Sequence, residues 1–216
     1  LEAPLPSPAP PRERREADLL LARAYLKKNR KLEAAQAFQA VALAPQADPD
    51  QRGQAMLAAG NLFLEAAMAL QSVELGVQAL LLERDCEQAG RKAWDAPTAS
   101  SLRLMLARAY FAASDAARAA ILLQDYLAAP GSPPDDRALA RMIAAHCQQR
   151  LGNLDAAIAT CQAAIGDPET PKLYADEARQ LQQLLQWDKQ HPQWSIHQQP
   201  ITITSTSTRD LRGHPR

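Results

Sequence analysis

Two stretches of this chain repeat one another at fixed spacing, and no other feature limits its fold as tightly. Leu106-Ala107-Arg108-Ala109-Tyr110 is followed by Ala119, Leu123 and Pro130, while near the N-terminus Leu21-Ala22-Arg23-Ala24-Tyr25 is followed by Ala34, Phe38 and Pro45. A third, weaker copy runs Ile143-Ala144-Ala145-His146-Cys147, then Ala157, Cys161 and Pro168, with one extra residue before Ala157. From the alanine to the proline the separation is eleven residues in all three. Self-similarity on this scale implies a stack of supersecondary units that bury their apolar faces against one another, not one closed core.

Each copy has its own physical logic. The first half sets a large apolar residue and an aromatic on one stripe of a helix with a small alanine between them, and the second half sets Ala and Phe or Leu four apart on the facing stripe. Two antiparallel helices can then approach closely at Ala22 against Ala34, or at Ala107 against Ala119, and the proline ends the second helix before the next pair. Apolar residues make up 47% of the chain and are dominated by Ala and Leu, which favours helix over sheet. Formal net charge is zero and the pI is near 7.1, so no global field favours nucleic acid or an anionic membrane.

These residues resemble the tetratricopeptide repeat, a helix–turn–helix unit with the pattern W-x2-L-G-x2-Y, A-x3-F, P. The matches are Leu21, Ala22, Tyr25, Ala34, Phe38 and Pro45, then Leu106, Ala107, Tyr110, Ala119, Leu123 and Pro130, with Ile143, Ala144, Ala157 and Pro168 kept in the third copy. Asp18, Arg103 and Ala140 stand where the family has Trp, and Ala22, Ala107 and Ala144 where it has Gly in the first helix. The resemblance covers roughly residues 17 to 190 and implies a divergent all-α, right-handed α-solenoid. The expected fold is about three hairpins plus a C-terminal capping helix, about seven helices in all.

The rest of the chain divides around this domain. Residues 1–16 form a proline-rich and charged leader, with the mixed run 12–17 opening the first helix. The segment from Pro45 to Asp50 is expected to supply a turn and an N-cap for the next helix, and residues 51–93 read as an irregular second unit in which Ser72 caps a long helix through Val73, Val77, Leu80 and Leu81. Thr98 or Ser100, and then Asp135 or Asp136, are the caps expected further on. The last helix, about Lys172 to Gln190, carries Leu173, Ala178, Leu181, Leu184, Leu185 and Trp187 on one side and reads as the terminal cap of the stack. Residues 191–216 are a polar tail, expected to be disordered, whose Ile201-Thr-Ile-Thr run has β-propensity but no sheet to join; its other reading is a segment that pairs with another chain.

No catalytic pattern emerges. There is no glycine-rich phosphate loop, no GxSxG and no HExxH, so the chain reads as a non-enzyme without cofactor. Cys86, Cys147 and Cys161 include no CxxC pair, which argues against a zinc site. Cys147 and Cys161 fall at facing positions of one hairpin and read either as a disulfide in an oxidising compartment or, the favoured reading, as buried free thiols.

What remains is surface. By the repeat register, the first helix of each pair should present Arg23, Leu26 and Lys27, then Arg108 and Phe111, then Arg141, Gln148 and Gln149 to a concave face. Such a row of cations on a neutral protein would suit a protein or peptide partner bearing carboxylates, with Phe111 as apolar anchor. The expected function is therefore a protein–protein interaction scaffold or adaptor that assists assembly or regulation of a bacterial cell-envelope complex. The rival is an accessory domain of a larger enzyme or secretion machine. A proline-rich leader and a start at Leu1 in place of Met fit a periplasmic or membrane-anchored protein whose upstream piece has been removed; a cloning boundary, and a cytoplasmic protein, account for the same start.

Overall fold

The computed structural model describes residues 11–192, and the Ile-Thr run and most of the expected tail lie outside them. Among the described residues there are nine helices and no strands: α1 (Pro11–Lys27), α2 (Lys31–Ala42), α3 (Pro49–Glu65), α4 (Ala69–Gln88), α5 (Ala96–Ala112), α6 (Ala116–Ala128), α7 (Pro134–Arg150), α8 (Leu154–Gly166) and α9 (Lys172–Gln190). None is long and apolar enough to cross a membrane. The all-α expectation holds, but the count does not: four hairpins precede α9. Helix α1 begins at Pro11, one residue before the charged run expected to open it.

The unit that the sequence leaves irregular is a complete hairpin, α3–α4. Its turn is hidden because Ala67 takes the left-handed backbone conformation, at φ +58°, where glycine or asparagine would announce it. Asn29, Ser114 and Gly152 occupy the corresponding place in the other hairpins with φ of +55°, +65° and +78°. In all four turns the next residue's N–H reaches back five residues: Arg30 to Tyr25, Met68 to Phe63, Asp115 to Tyr110 and Asn153 to Gln148, at 2.7–2.9 Å. This satisfies carbonyls that a helix end otherwise leaves unpaired.

Each helix packs on the next, and α3 on α5, α5 on α7 and α7 on α9 touch across the hairpins. The small residues that set the repeat are the crossing points. Ala22, Ala34, Ala107, Ala119 and Ala157 have no exposed surface, so helix axes meet there without a side chain between them. Three apolar clusters follow one another along the chain. The first joins α2, α3 and α4 with Trp94 and the start of α5; the second joins α5, α6 and α7; the third joins α7, α8 and α9. Gly76 lets α5 reach the second hairpin: a Cβ there would lie 2.7 Å from Leu106 Cδ1 and 2.8 Å from Leu106 Cβ.

The expected caps shift. Asp95 caps α5, its Oδ1 accepting from the Thr98 N–H at 2.8 Å, so Thr98 is the capped residue and not the cap. Pro133 occupies the N-cap of α7 and places Asp135 and Asp136 in its first turn, where their negative charge complements the positive end of the helix dipole. Asp48 does precede α3, but its side chain makes no capping bond. Ser72 lies inside α4, fully buried, with its hydroxyl donating to Met105 Sδ at 3.1 Å, and Met68 holds the N-cap.

Candidate protein-binding surfaces

The residues expected to form one cationic row lie on three helices and are used very differently. Arg23, Leu26 and Lys27 on α1 are exposed, and neither cation forms an ion pair among the described residues. However, α1 packs on α2 alone and does not reach α3, so this end of the row is separate from the rest. Arg108 on α5 is half-buried and donates to Asn61 Oδ1 on α3 at 3.1 Å. Arg141 on α7 is engaged with Asp167, its Nη1 donating to Oδ2 at 2.5 Å, and retains 19% side-chain exposure. Gln148 accepts from the Asn153 side chain at 3.0 Å, and Gln149 is 8% exposed, which removes it from any contact surface.

Phe111 is held internally as well. It packs against the α5–α6–α7 cluster, with the Arg150 guanidinium 4.1 Å above its ring and Arg150 Nη1 donating to its carbonyl at 3.2 Å. The His146 ring lies tilted near it, with ring centroids 6.3 Å apart. These residues therefore tie α5 to α7. The one-row arrangement fails because the register fixes which face a residue starts from, not where a long side chain finds its partner.

Arg137 and Arg141 converge on Asp167 in the loop between α8 and α9, and Arg137 also reaches Glu169 at 2.5 Å. The Arg141 hydrogen bond, followed by the Glu169 N–H and the two positive charges, holds the Asp167 carboxyl below the ordinary carboxylate range. The cluster is a clasp between the start of α7 and the loop that leaves α8.

The cysteines do not pair. All three are free and buried; Cys147 faces the α5–α6 side of its hairpin while Cys161 faces α9. Burial pushes both of these thiols up to about 11. Among the described residues no group of three or more His, Cys, Asp and Glu side chains converges as a metal site would.

The surface that stands out is one that the repeat register does not indicate. Leu80 of α4, Ile121 and Leu122 of α6, and Leu106 and Tyr110 of α5 line a groove of about 220 Å³, with Arg118 at its edge. Leu70, Val73, Val77 and Leu81 continue the apolar stripe along α4, where Leu70 is 73% and Leu81 44% exposed; Ile121 is 62% exposed. The opposite side of α4, with Ser72, Leu75, Gly76, Ala79 and Cys86, is buried. A helix apolar on two sides is built to be covered on two sides. The spacing 70, 73, 77, 80, 81 is legible in the sequence, but periodicity alone assigns such a stripe to the core.

No family model, no curated protein and no solved structure matches the chain.

Proposed function

We propose that the chain is a divergent tetratricopeptide-like, right-handed α-solenoid that binds another protein and performs no chemistry of its own. Support for the repeat reading comes from the unexposed alanines at the helix crossings, the same turn geometry in four hairpins, and the successive packing of α3, α5, α7 and α9. The observation that carries the binding role is the outer groove between α4 and α6, floored by Leu106 and Tyr110. Water against contiguous leucine, valine and isoleucine is unfavourable by about 25 cal/mol per Å², and monomeric proteins seldom leave such a stripe uncovered without a partner for it.

The partner that fits is an amphipathic helix. Its apolar side chains, three and four residues apart, would enter the groove and lie along α4. Arg84 and Arg118 flank the stripe with side chains 62% and 68% exposed, so acidic residues on the borders of that helix would fix its orientation. The exposed Arg23 and Lys27 offer a second, purely electrostatic contact at the far end.

Affinity capture from the native host separates the two surfaces. Partners recovered by the wild type should be lost from Leu81→Asp and Ile121→Asp proteins that melt as the wild type does, and kept by Arg23→Glu and Lys27→Glu. The reverse pattern would move the binding site to α1.

A further inference from the structure

We propose that the cavity between the N-terminal ends of α5 and α7 binds an alkylammonium group, either the side chain of a lysine on a partner protein or a small free amine. The cavity holds about 370 Å³, near the lower end of the range of about 300–1,000 Å³ usual for small-ligand sites, and it shares no lining residue with the groove between α4 and α6.

Its walls come from the residues that punctuate the chain. Helix α6 ends at Ala128, and Pro130 with Gly131, at φ +87°, turns the chain toward α7, so that Pro97, Pro130 and Pro133 stand around the opening as apolar surface. Proline has no N–H to offer. The polar work therefore falls to side chains: Ser100 and Ser101 on α5, Tyr126 on α6 and Asp136 on α7.

The charge of the occupant follows from Asp136, which is half-buried and has no ion-pair partner among the described residues. Arg137, next in the chain, does not serve it, since its donors go to Asp167, Glu169 and the Ser132 carbonyl. The positive end of α7 meets part of the Asp136 charge, and among the described residues no lysine, arginine or histidine lines the cavity to meet the rest. An anion is poorly placed here although two helix N-termini are near. Pro97 and Pro134 remove a backbone donor from the first turn of each helix, and Asp95 already takes the Thr98 N–H.

Hydroxyl groups supply what a carboxylate alone does not. Tyr126 is 2% exposed, and its hydroxyl lies beside those of Ser100 and Ser132. Burial, and after it the charge of Asp136, raise that hydroxyl above its ordinary pKa, so it stays neutral and free to accept. Ser132, between the lining residues Gly131 and Pro133, is 8% exposed and its Oγ has no hydrogen-bond partner, which is unfavourable for a buried hydroxyl. An ammonium brings three N–H donors and no acceptor to this set of acceptors, and its alkyl stem can lie along the prolines.

Chemical-shift titration of the full chain with pentylamine, 1-pentanol and pentanoate tests the proposal. Pentylamine should shift the signals of Ser100, Ser101 and Tyr126 saturably, about tenfold or more tightly than 1-pentanol, and pentanoate should not bind. Asp136→Asn should weaken pentylamine about tenfold or more, whereas Asp135→Asn, in the same helical turn but outside the lining, should change its affinity less than about twofold. Tyr126→Phe keeps the ring and removes only the hydroxyl, and should weaken pentylamine about threefold or more even if Asp136→Asn alters the fold. Nα-acetyl-lysine N-methylamide bound at least as tightly as pentylamine supports a partner's lysine as the source; weaker binding supports a free amine. No saturable binding of pentylamine, equal binding of 1-pentanol, equal losses from Asp135→Asn and Asp136→Asn, or an affinity indifferent to Tyr126→Phe would each overturn the proposal. None of these results bears on the outer groove, whose variants leave this cavity intact.

Discussion

Individual residues in this protein are chosen against backbone and packing limits that a sequence pattern registers only in part. Ala67 is the clearest instance. Its φ of +58° costs an L-residue with a Cβ about 1 kcal/mol or more, while glycine pays nothing sterically, and its side chain is exposed and makes no contact worth keeping. Ala67→Gly should therefore stabilise the fold by about 1 kcal/mol, a rise of roughly 2–4 °C in melting temperature for a chain of this size. Two glycines make the opposite case. Gly76→Ala would place its new methyl 2.8 Å from Leu106 Cβ, an atom fixed to the α5 backbone, whereas Gly60→Ala meets Met105 Sδ at 2.5 Å, in a side chain with three rotatable bonds. Overpacking of this kind costs about 1–3 kcal/mol against a gain of about 1 kcal/mol from replacing a helical glycine, so Gly76→Ala should lose stability and Gly60→Ala lose less or nothing. Denaturant midpoints of the two variants compare them directly; equal midpoints would mean that α5 is free to shift away from α4.

Between elements, charge takes over from shape. Among the described residues Asp167 is the one acid that receives two arginines of α7, and its carboxyl titrates below the usual range because Arg141 donates to it. A depressed folded-state pKa adds stability above the unfolded value of about 3.9, and that stability disappears as pH falls through the folded value. The melting temperature of Asp167→Asn should accordingly lie below that of the wild type at neutral pH, with the gap closing only in acid below about pH 4. A gap independent of pH would show that the aspartate acts by shape alone. The clasp also marks how far the sequence could be read. Helix α9 could be bounded to the residue from Pro171 and Pro192, and the hairpins with Ala-to-Ala spacing could be placed, because prolines and close-packed alanines act locally. The α3–α4 hairpin carries the same twelve-residue interval, from Gly60 to the buried Ser72, that separates Ala22 from Ala34 and Ala107 from Ala119. Its small residues are glycine and serine, and its turn is an alanine, so the match to the other copies fades. The arginines were harder still, since each chose a partner on another element: Asn61 for Arg108, Asp167 for Arg141, the Phe111 ring for Arg150.

At the scale of the whole molecule, stability should vary with position, because each hairpin is held only by its neighbours and the ends have fewer of them. The two ends differ. Helix α1 packs on α2 alone and leaves Leu20 and Leu21 65% and 45% exposed, although Leu106, the residue matching Leu21, is 1% exposed against the second hairpin. Helix α9 is held by both α7 and α8, with Leu185 wholly buried. Local opening should therefore begin at α1. Native-state hydrogen exchange should show the backbone of α1 exchanging fastest among the nine helices, α5 and α7 slowest, and α9 between them. Exchange in α9 as fast as in α1 would mean that packing on α7 and α8 does not hold that helix.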